Sequence, residues 1–206
     1  MKKIGIIGAQ STGKTAMAER LMLEYRRMDN PPVVMKISEI ARECPYPMNR
    51  GMTLPGQRWM VGRQLREEIW GRSVDVMICD RTVLDPVVYA IWAANHADDA
   101  APWAAWLNYM LPFAMDWCRS FDLLLWCRPN GNPPSVDGFR DPDPQWQKDI
   151  DAIFQYILQD SGLAYRQVEM VTVPVVGVVY EWPDYRDVFE FEPTILKACG
   201  MATKQF

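Results

Sequence analysis

The sequence is poor in the groups from which many metal and hydrolytic sites are built. It has one histidine, His96, which excludes a histidine-based zinc site and reads as a surface residue following a helical pattern. Its five cysteines (Cys44, Cys79, Cys118, Cys127 and Cys199) form no C-x-x-C pair. Cys79 and Cys127 fall in apolar, strand-like runs where a reduced, buried thiol is the usual state, so a reducing compartment is expected. No apolar run approaches the roughly 20 residues needed to span a bilayer. The first such run is short and belongs to a strand rather than to a leader, so a cytoplasmic protein with no membrane partner is expected. Positive charge is not in excess: 22 basic against 26 acidic residues leave a net charge of −4, without the global field that drives non-specific nucleic-acid binding. Of the 22 cationic side chains 15 are arginine, the type suited to bidentate contacts with phosphate or carboxylate.

What is present is concentrated at the start of the chain. Ile4, Ile6 and Ile7 form a short buried-strand pattern that breaks at Gly8, and a helical pattern resumes through Ala16, Leu21 and Leu23. Between them stands Gly8-Ala9-Gln10-Ser11-Thr12-Gly13-Lys14-Thr15, a G-x-x-x-x-G-K-[ST] sequence in the strand–loop–helix setting of a phosphate-binding P-loop. Glycines let successive N–H groups turn inward toward a phosphate, and the helix start adds the positive end of its dipole. Lys14 is expected to reach the β- and γ-phosphates of ATP, and the Thr15 hydroxyl to hold Mg²⁺.

Further along, apolar runs alternate with helical patterns. Strands are expected near 33–37, 74–80, 121–127 and 166–173, and helices near 14–29, 56–72, 102–118 and 147–158, with another passing through Tyr89 and Trp92. Ser38 is expected to cap a helical turn carrying Glu39 and Arg42. The alternation predicts a single α/β domain: three α-β-α layers around a parallel five-stranded sheet. A lid loop is expected at about 128–144, and a short C-terminal arm or tail at about 175–206. Trp103, Trp106, Met110, Phe113 and Trp117 recur at spacings of three and four, an aromatic stripe that predicts core or subunit-interface packing and is compatible with a homo-oligomer. A base-stacking surface is the alternative.

In parallel sheets ligands bind outside the carboxyl ends of the strands. The P-loop, Glu39, Asp80 and Arg128 all end strands and should converge on one crevice. Asp80 would hold Mg²⁺, directly or through water, or act as base toward a hydroxyl; otherwise it caps the next helix. Arg81 would hold substrate or pair with Asp85. Glu39 and Arg42, three apart, share a helical face; Glu39 would take a hydroxyl proton and Arg42 would grip a phosphate or base. Arg128 and Arg140, in or beside the lid, would neutralise charge on a transferred phosphoryl group. Arg42, Arg50, Arg58, Arg63, Arg66, Arg72 and Arg81 are interleaved with acids. Arg50 and Arg58, which flank an open loop without neighbouring acids in sequence, are the better contacts for a polyanionic acceptor. Adenine contacts are expected after the fifth strand, near Pro174.

With these residues in place, the chain resembles small P-loop kinases of the group that includes nicotinamide riboside kinase domains. The resemblance covers roughly residues 1–175 and rests on the P-loop, Ser38-Glu39-Ile40-Ala41-Arg42, Gln64 and Ile78-Cys79-Asp80-Arg81-Thr82. The pairing of Glu39 with Arg42 is also similar to the acid-x-x-Arg element of polynucleotide 5′-kinases. Related bacteriophage proteins phosphorylate 5-hydroxymethyluracil in DNA. The resemblance therefore implies an ATP- and Mg²⁺-dependent kinase acting on a hydroxyl of a nucleoside-like acceptor. It leans toward a modified base in phage DNA, which would place the protein in the host cytoplasm. The alternatives are a free nucleoside or nucleotide, a DNA 5′ end, and a nucleotide-dependent switch without phosphate transfer.

Overall fold

The computed structural model describes residues 1–70, 73–131, 139–173 and 177–181. In chain order it contains β1 (Lys2–Ile7), α1 (Lys14–Arg26), β2 (Val34–Ile37), two 3₁₀ turns (Ile40–Glu43 and Asn49–Gly51), α2 (Leu54–Trp70), β3 (Val76–Asp80) and α3 (Leu84–His96). These are followed by α4 (Ala101–Cys118), β4 (Leu123–Arg128), α5 (Pro144–Asp160), β5 (Arg166–Val173) and β6 (Gly177–Glu181). The sheet order is β2-β3-β1-β4-β5-β6. The first five strands in this order run parallel, and β6 returns antiparallel to β5.

Strand alternation sorts the core into two layers. Ile4, Ile6, Val76, Ile78, Leu123, Leu125 and Cys127 pack with Met17, Leu21 and Tyr25 of α1 on one face. Ile7, Leu124 and Trp126 pack on the other against α3, α4 and α5, through Val87, Val88, Trp106, Ile150 and Phe154. Both faces of the sheet are thus covered, as near-continuous apolar strands require. The parallel register sets Ile6 opposite Asp80 and Ile7 opposite Trp126, which brings the P-loop, the end of β3 and the end of β4 level with one another at the carboxyl edge.

The expected elements are present with shifted ends. α2 begins at Leu54 and α5 at Pro144, each a little earlier than hydrophobic spacing indicates. For α5 the reason is local: the Asp143 carboxylate accepts the Gln145 N–H at 2.7 Å and caps the helix. The turn after β2 is a 3₁₀ turn with Glu39, not Ser38, at its cap position. In the aromatic stripe of α4, Trp106 is buried, Trp103, Met110 and Trp117 are partly covered by the core, and Phe113 remains 39% exposed. Among the described residues no helix is long and apolar enough to cross a membrane. Arg72, Pro174, Cys199, lid residues 132–138 and the tail from 182 lie outside the described residues.

Candidate functional site

The phosphate-binding loop is held by its own backbone. Gly8 has φ +139° and a side-chain carbon there would come within 2.3 Å of the Cys127 carbonyl oxygen, so both conformation and space demand glycine. Gly13 caps α1 at φ +82°. The Thr12 hydroxyl donates to the Ala9 carbonyl at 2.9 Å. The buried Lys14 ammonium donates to the carbonyls of Gly8 (2.8 Å) and Ala9. Burial, followed by the nearby Arg81 charge, brings the Lys14 pKa down to about 8. Tyr89 of α3 donates to the Gln10 side-chain oxygen at 2.9 Å and Gln147 of α5 to the Gln10 carbonyl at 2.7 Å, tying the loop to both helices.

Asp80 ends β3 at 1% exposure, and neither carboxylate oxygen has a hydrogen-bond partner. A buried carboxylate without partners costs free energy unless a ligand supplies them. Asp80 does not fill the capping role considered for it: the N-cap position of α3, Val83, has no side-chain cap, and Asp85 in the first turn accepts the Thr82 N–H at 2.9 Å. Thr15 is exposed in the first turn of α1. Among the described residues no group of three or more His, Cys, Asp or Glu side chains could cage a metal. An ion bound mainly by phosphate and water, the usual habit of Mg²⁺, fits Asp80 and Thr15 better than a protein cage would.

Beside this phosphate end stands a wall of paired charges. The Arg81 guanidinium donates to Glu39 Oε1 from Nη2 (2.8 Å) and Nε (3.0 Å), and to Asp85 Oδ1 at 3.2 Å. Glu39 Oε2 accepts from Arg140 at 2.9 Å and lies 3.4 Å from Arg42 Nε. Burial alone would raise the Glu39 carboxyl pKa, but Arg81 and Arg140 outweigh it and hold the group well below the usual carboxylate range. Asp85 is pushed up, by burial first, against the pull of Arg81. The wall lines a cavity of about 60 Å³ that Gln10 of the P-loop also lines. Its other sides include Met48, Met52, Met60, Gln57, Tyr89 and Trp146. Phe139 and Arg140, at the C-terminal end of the stretch expected to be a lid loop, line it too. That end is docked: Asn49 donates to the Phe139 carbonyl at 2.7 Å, Arg50 Nε lies 2.8 Å from Asp141 and its Nη2 bonds Asp143, and Arg42 sits over the Phe139 ring at 4.9 Å.

The P-loop (Gly8 to Thr15), Glu39, Arg42, Asp80, Arg81 and Arg140 are thus brought to one crevice. Arg128 is turned toward α5, where Asp151 (2.8 Å) and Gln155 (3.2 Å) hold it, and it does not line the cavity. Arg50 has acidic partners that are distant in sequence. Arg58 is exposed on α2, outside the cavity. Sequence reasoning missed Gln57. It is 1% exposed, lines the cavity, and leaves its side-chain oxygen without a partner. No local signal distinguishes it from the other polar residues of α2.

Strand order, P-loop and strand-end carboxylates together define an α/β P-loop domain with the fold of a small kinase. The chain belongs to the AAA domain family, whose model matches residues 3–174. No curated protein sequence matches it significantly. Among solved structures it is similar to deoxyadenosine kinase from M. mycoides with the products dCMP and a flexible dCDP bound, at 15% identity and a TM-score of 0.59, covering 81% of this chain and 90% of that one. It is likewise similar to the same kinase with dATP bound, at 14% identity and a TM-score of 0.60, covering 82% and 91%. At these identities the likeness shows the fold.

Proposed function

We propose that this protein is an ATP- and Mg²⁺-dependent kinase that transfers a phosphoryl group to a hydroxyl of a small nucleoside or nucleotide. The observation that carries this reading is Glu39, fixed by Arg81 and Arg140 in a partly open cavity that Gln10 of the P-loop also lines. Lys14 and the P-loop backbone would bind the ATP phosphates, and Thr15 and Asp80 would hold Mg²⁺. The ion supplies charge neutralisation at the phosphates when bound.

The acceptor hydroxyl bonds to Glu39, which points its lone pair toward the P-loop. The oxygen–phosphorus bond to the acceptor forms as the bond to the ADP leaving oxygen breaks, and the hydroxyl proton passes to Glu39. With its pKa held low, Glu39 is a weak base, so its main service is orientation, which suits a loose transition state in which the proton leaves late. Arg81 and Arg140 place positive charge where the transferred group carries negative charge. Gln57 offers an unpaired acceptor to an N–H on a flat base between Met60 and the aromatic side chains. The likeness to a kinase solved with deoxynucleotides supports the same acceptor class.

A modified base in DNA receives less support. A duplex would have to release the base from its stack, and Arg50, the expected DNA contact, is already neutralised by Asp141 and Asp143. The test is transfer from γ-labelled ATP to free nucleosides and nucleotides (nicotinamide riboside included), DNA containing 5-hydroxymethyluracil, and unmodified DNA. Label on a free acceptor, lost with Lys14→Met, is expected. Label only on the modified DNA, or at 5′ ends of both DNAs, would overturn the small-acceptor reading. Nucleotide binding without transfer to any acceptor would mean a switch.

A further inference from the structure

Arg81 departs from its surroundings in one respect: it is a non-glycine residue with φ +86°, a conformation costing on the order of 1–2 kcal/mol for a residue with a Cβ. That backbone bend follows the buried strand β3 and turns the guanidinium back into the crevice. Such strain persists only where neighbours hold it. On one side the Arg81 N–H donates to the Ile6 carbonyl of β1 at 3.0 Å. On the other, the buried Gln64 amide nitrogen donates to the Arg81 carbonyl at 3.0 Å.

Gln64 is itself fixed. Its second amide hydrogen goes to Glu68 Oε1 at 3.0 Å, one turn further along α2. The Glu68 side chain is fully buried and lies behind Gln64, which lines the cavity, without lining it itself. Its other oxygen accepts from Trp117 Nε1 of α4 at 2.7 Å and pairs with Lys3 of β1 at 3.3 Å. The Lys3 ammonium also donates to Ser120 at 2.9 Å and lies over the rings of Phe121 (4.3 Å) and Trp117 (5.1 Å). Burying a lysine and a glutamate is costly, and as a source of stability such a pair is often matched by apolar residues. This one ends on the carbonyl of the arginine that holds Glu39.

We propose that Gln64 is the positioning residue for Arg81. Anchored by the buried Glu68, Lys3 and Trp117 cluster, it clamps the Arg81 peptide in its left-handed conformation, so that the guanidinium bridges Glu39 and Asp85. The kinetic side of this inference rests on the phosphoryl-transfer reading above; the geometric side does not.

The experiment therefore has two arms. In the first, the Arg81 Nε–H resonance, assigned by its loss in Arg81→Ala, is followed by NMR hydrogen exchange. It is protected in the wild type by its bond to Glu39. In Gln64→Met, which keeps the side-chain length and removes both donors, protection should fall by about ten-fold or more while core amides stay protected. Unchanged Arg81 protection would overturn the proposal. If Gln64→Met does not fold, Gln64→Asn, whose shorter amide cannot span the gap, takes its place.

In the second arm, kcat/KM for the acceptor is measured across the cycle Gln64→Met, Arg81→Ala and the double variant. Gln64→Met alone should cost about ten-fold with the ATP KM unchanged, and should cost almost nothing further once Arg81 is alanine. Additive losses would mean that Gln64 acts independently of Arg81 and would overturn the proposal. A wild type that transfers nothing defeats the kinase reading, and the exchange arm then decides this proposal alone.

Discussion

The two ends of the crevice treat buried charge in opposite ways. At the acceptor end each charge meets its opposite: Glu39 has Arg81, Arg140 and Arg42, and Arg81 has Asp85 as well. At the phosphate end Asp80 is equally buried with neither oxygen partnered, while Lys14 spends its hydrogens on carbonyls of its own loop. A buried charge is tolerated cheaply when paired and at a cost when not. The acceptor wall is therefore assembled by the protein alone. The phosphate end carries a cost that, on the proposed function, nucleotide and metal would relieve, so part of the binding free energy would appear there as the relief of a cost already present.

The sharpest way to break this comparison is to neutralise one carboxylate at each end. Asp80→Asn should lower transfer by about 10²–10³-fold, yet leave the unliganded melting temperature unchanged or raised, because a buried carboxylate without hydrogen-bond partners is removed; a clear fall in melting temperature would contradict the comparison. Glu39→Gln should lower transfer by about 100-fold and also destabilise the free protein by roughly 2–3 kcal/mol. The reason is that the Arg81 and Arg140 side chains, only 13% and 19% exposed, lose the counter-charge that Glu39 supplies, Arg81 keeping Asp85. Urea midpoints of the free proteins measure this.

The same carboxylate gives a pH signature. Because folding depresses the Glu39 pKa, its contribution is complete above the unfolded glutamate value of about 4.3 and is lost as pH falls below it toward the folded value. The stability gap between wild type and Glu39→Gln should therefore narrow on acidification in that range.

The lysine at the phosphate end titrates in the opposite sense. With its pKa brought down to about 8, Lys14 is charged below that pH and increasingly neutral above it, and phosphates favour the charged form. Mg·ATP binding should take up a proton above about pH 8, and affinity should fall with rising pH by at most about ten-fold per unit. Calorimetry in two buffers of different ionisation enthalpy checks this. The smallest effect is expected at the lid. Arg50→Ala removes exposed pairs with Asp141 and Asp143 and should raise the acceptor KM about two- to five-fold with little change in kcat.

The parts of this arrangement that were legible in the sequence are local or topological. The P-loop is a contiguous pattern, and Glu39, Asp80 and Arg81 follow from reading which residues end a parallel strand. What local pattern does not carry is partnership across the chain. Arg50 is without acids in its own stretch and finds them in the lid, and Arg128 is drawn to Asp151 on α5 rather than to the cavity. Glu68 looks like one more charge among the interleaved arginines and acids of α2, but it is buried against Lys3 of the first strand. Gln57 acquires its significance from an unpaired oxygen, which only packing creates.

The central claim is that the acceptor wall is complete without the phosphate donor. Calorimetric binding of the acceptor found by the transfer assay, to nucleotide-free wild type and to Asp80→Asn, tests it most directly. The account predicts binding to both proteins with similar affinity and its loss in Glu39→Gln. Binding that requires Mg·ATP, or that disappears in Asp80→Asn, would contradict it.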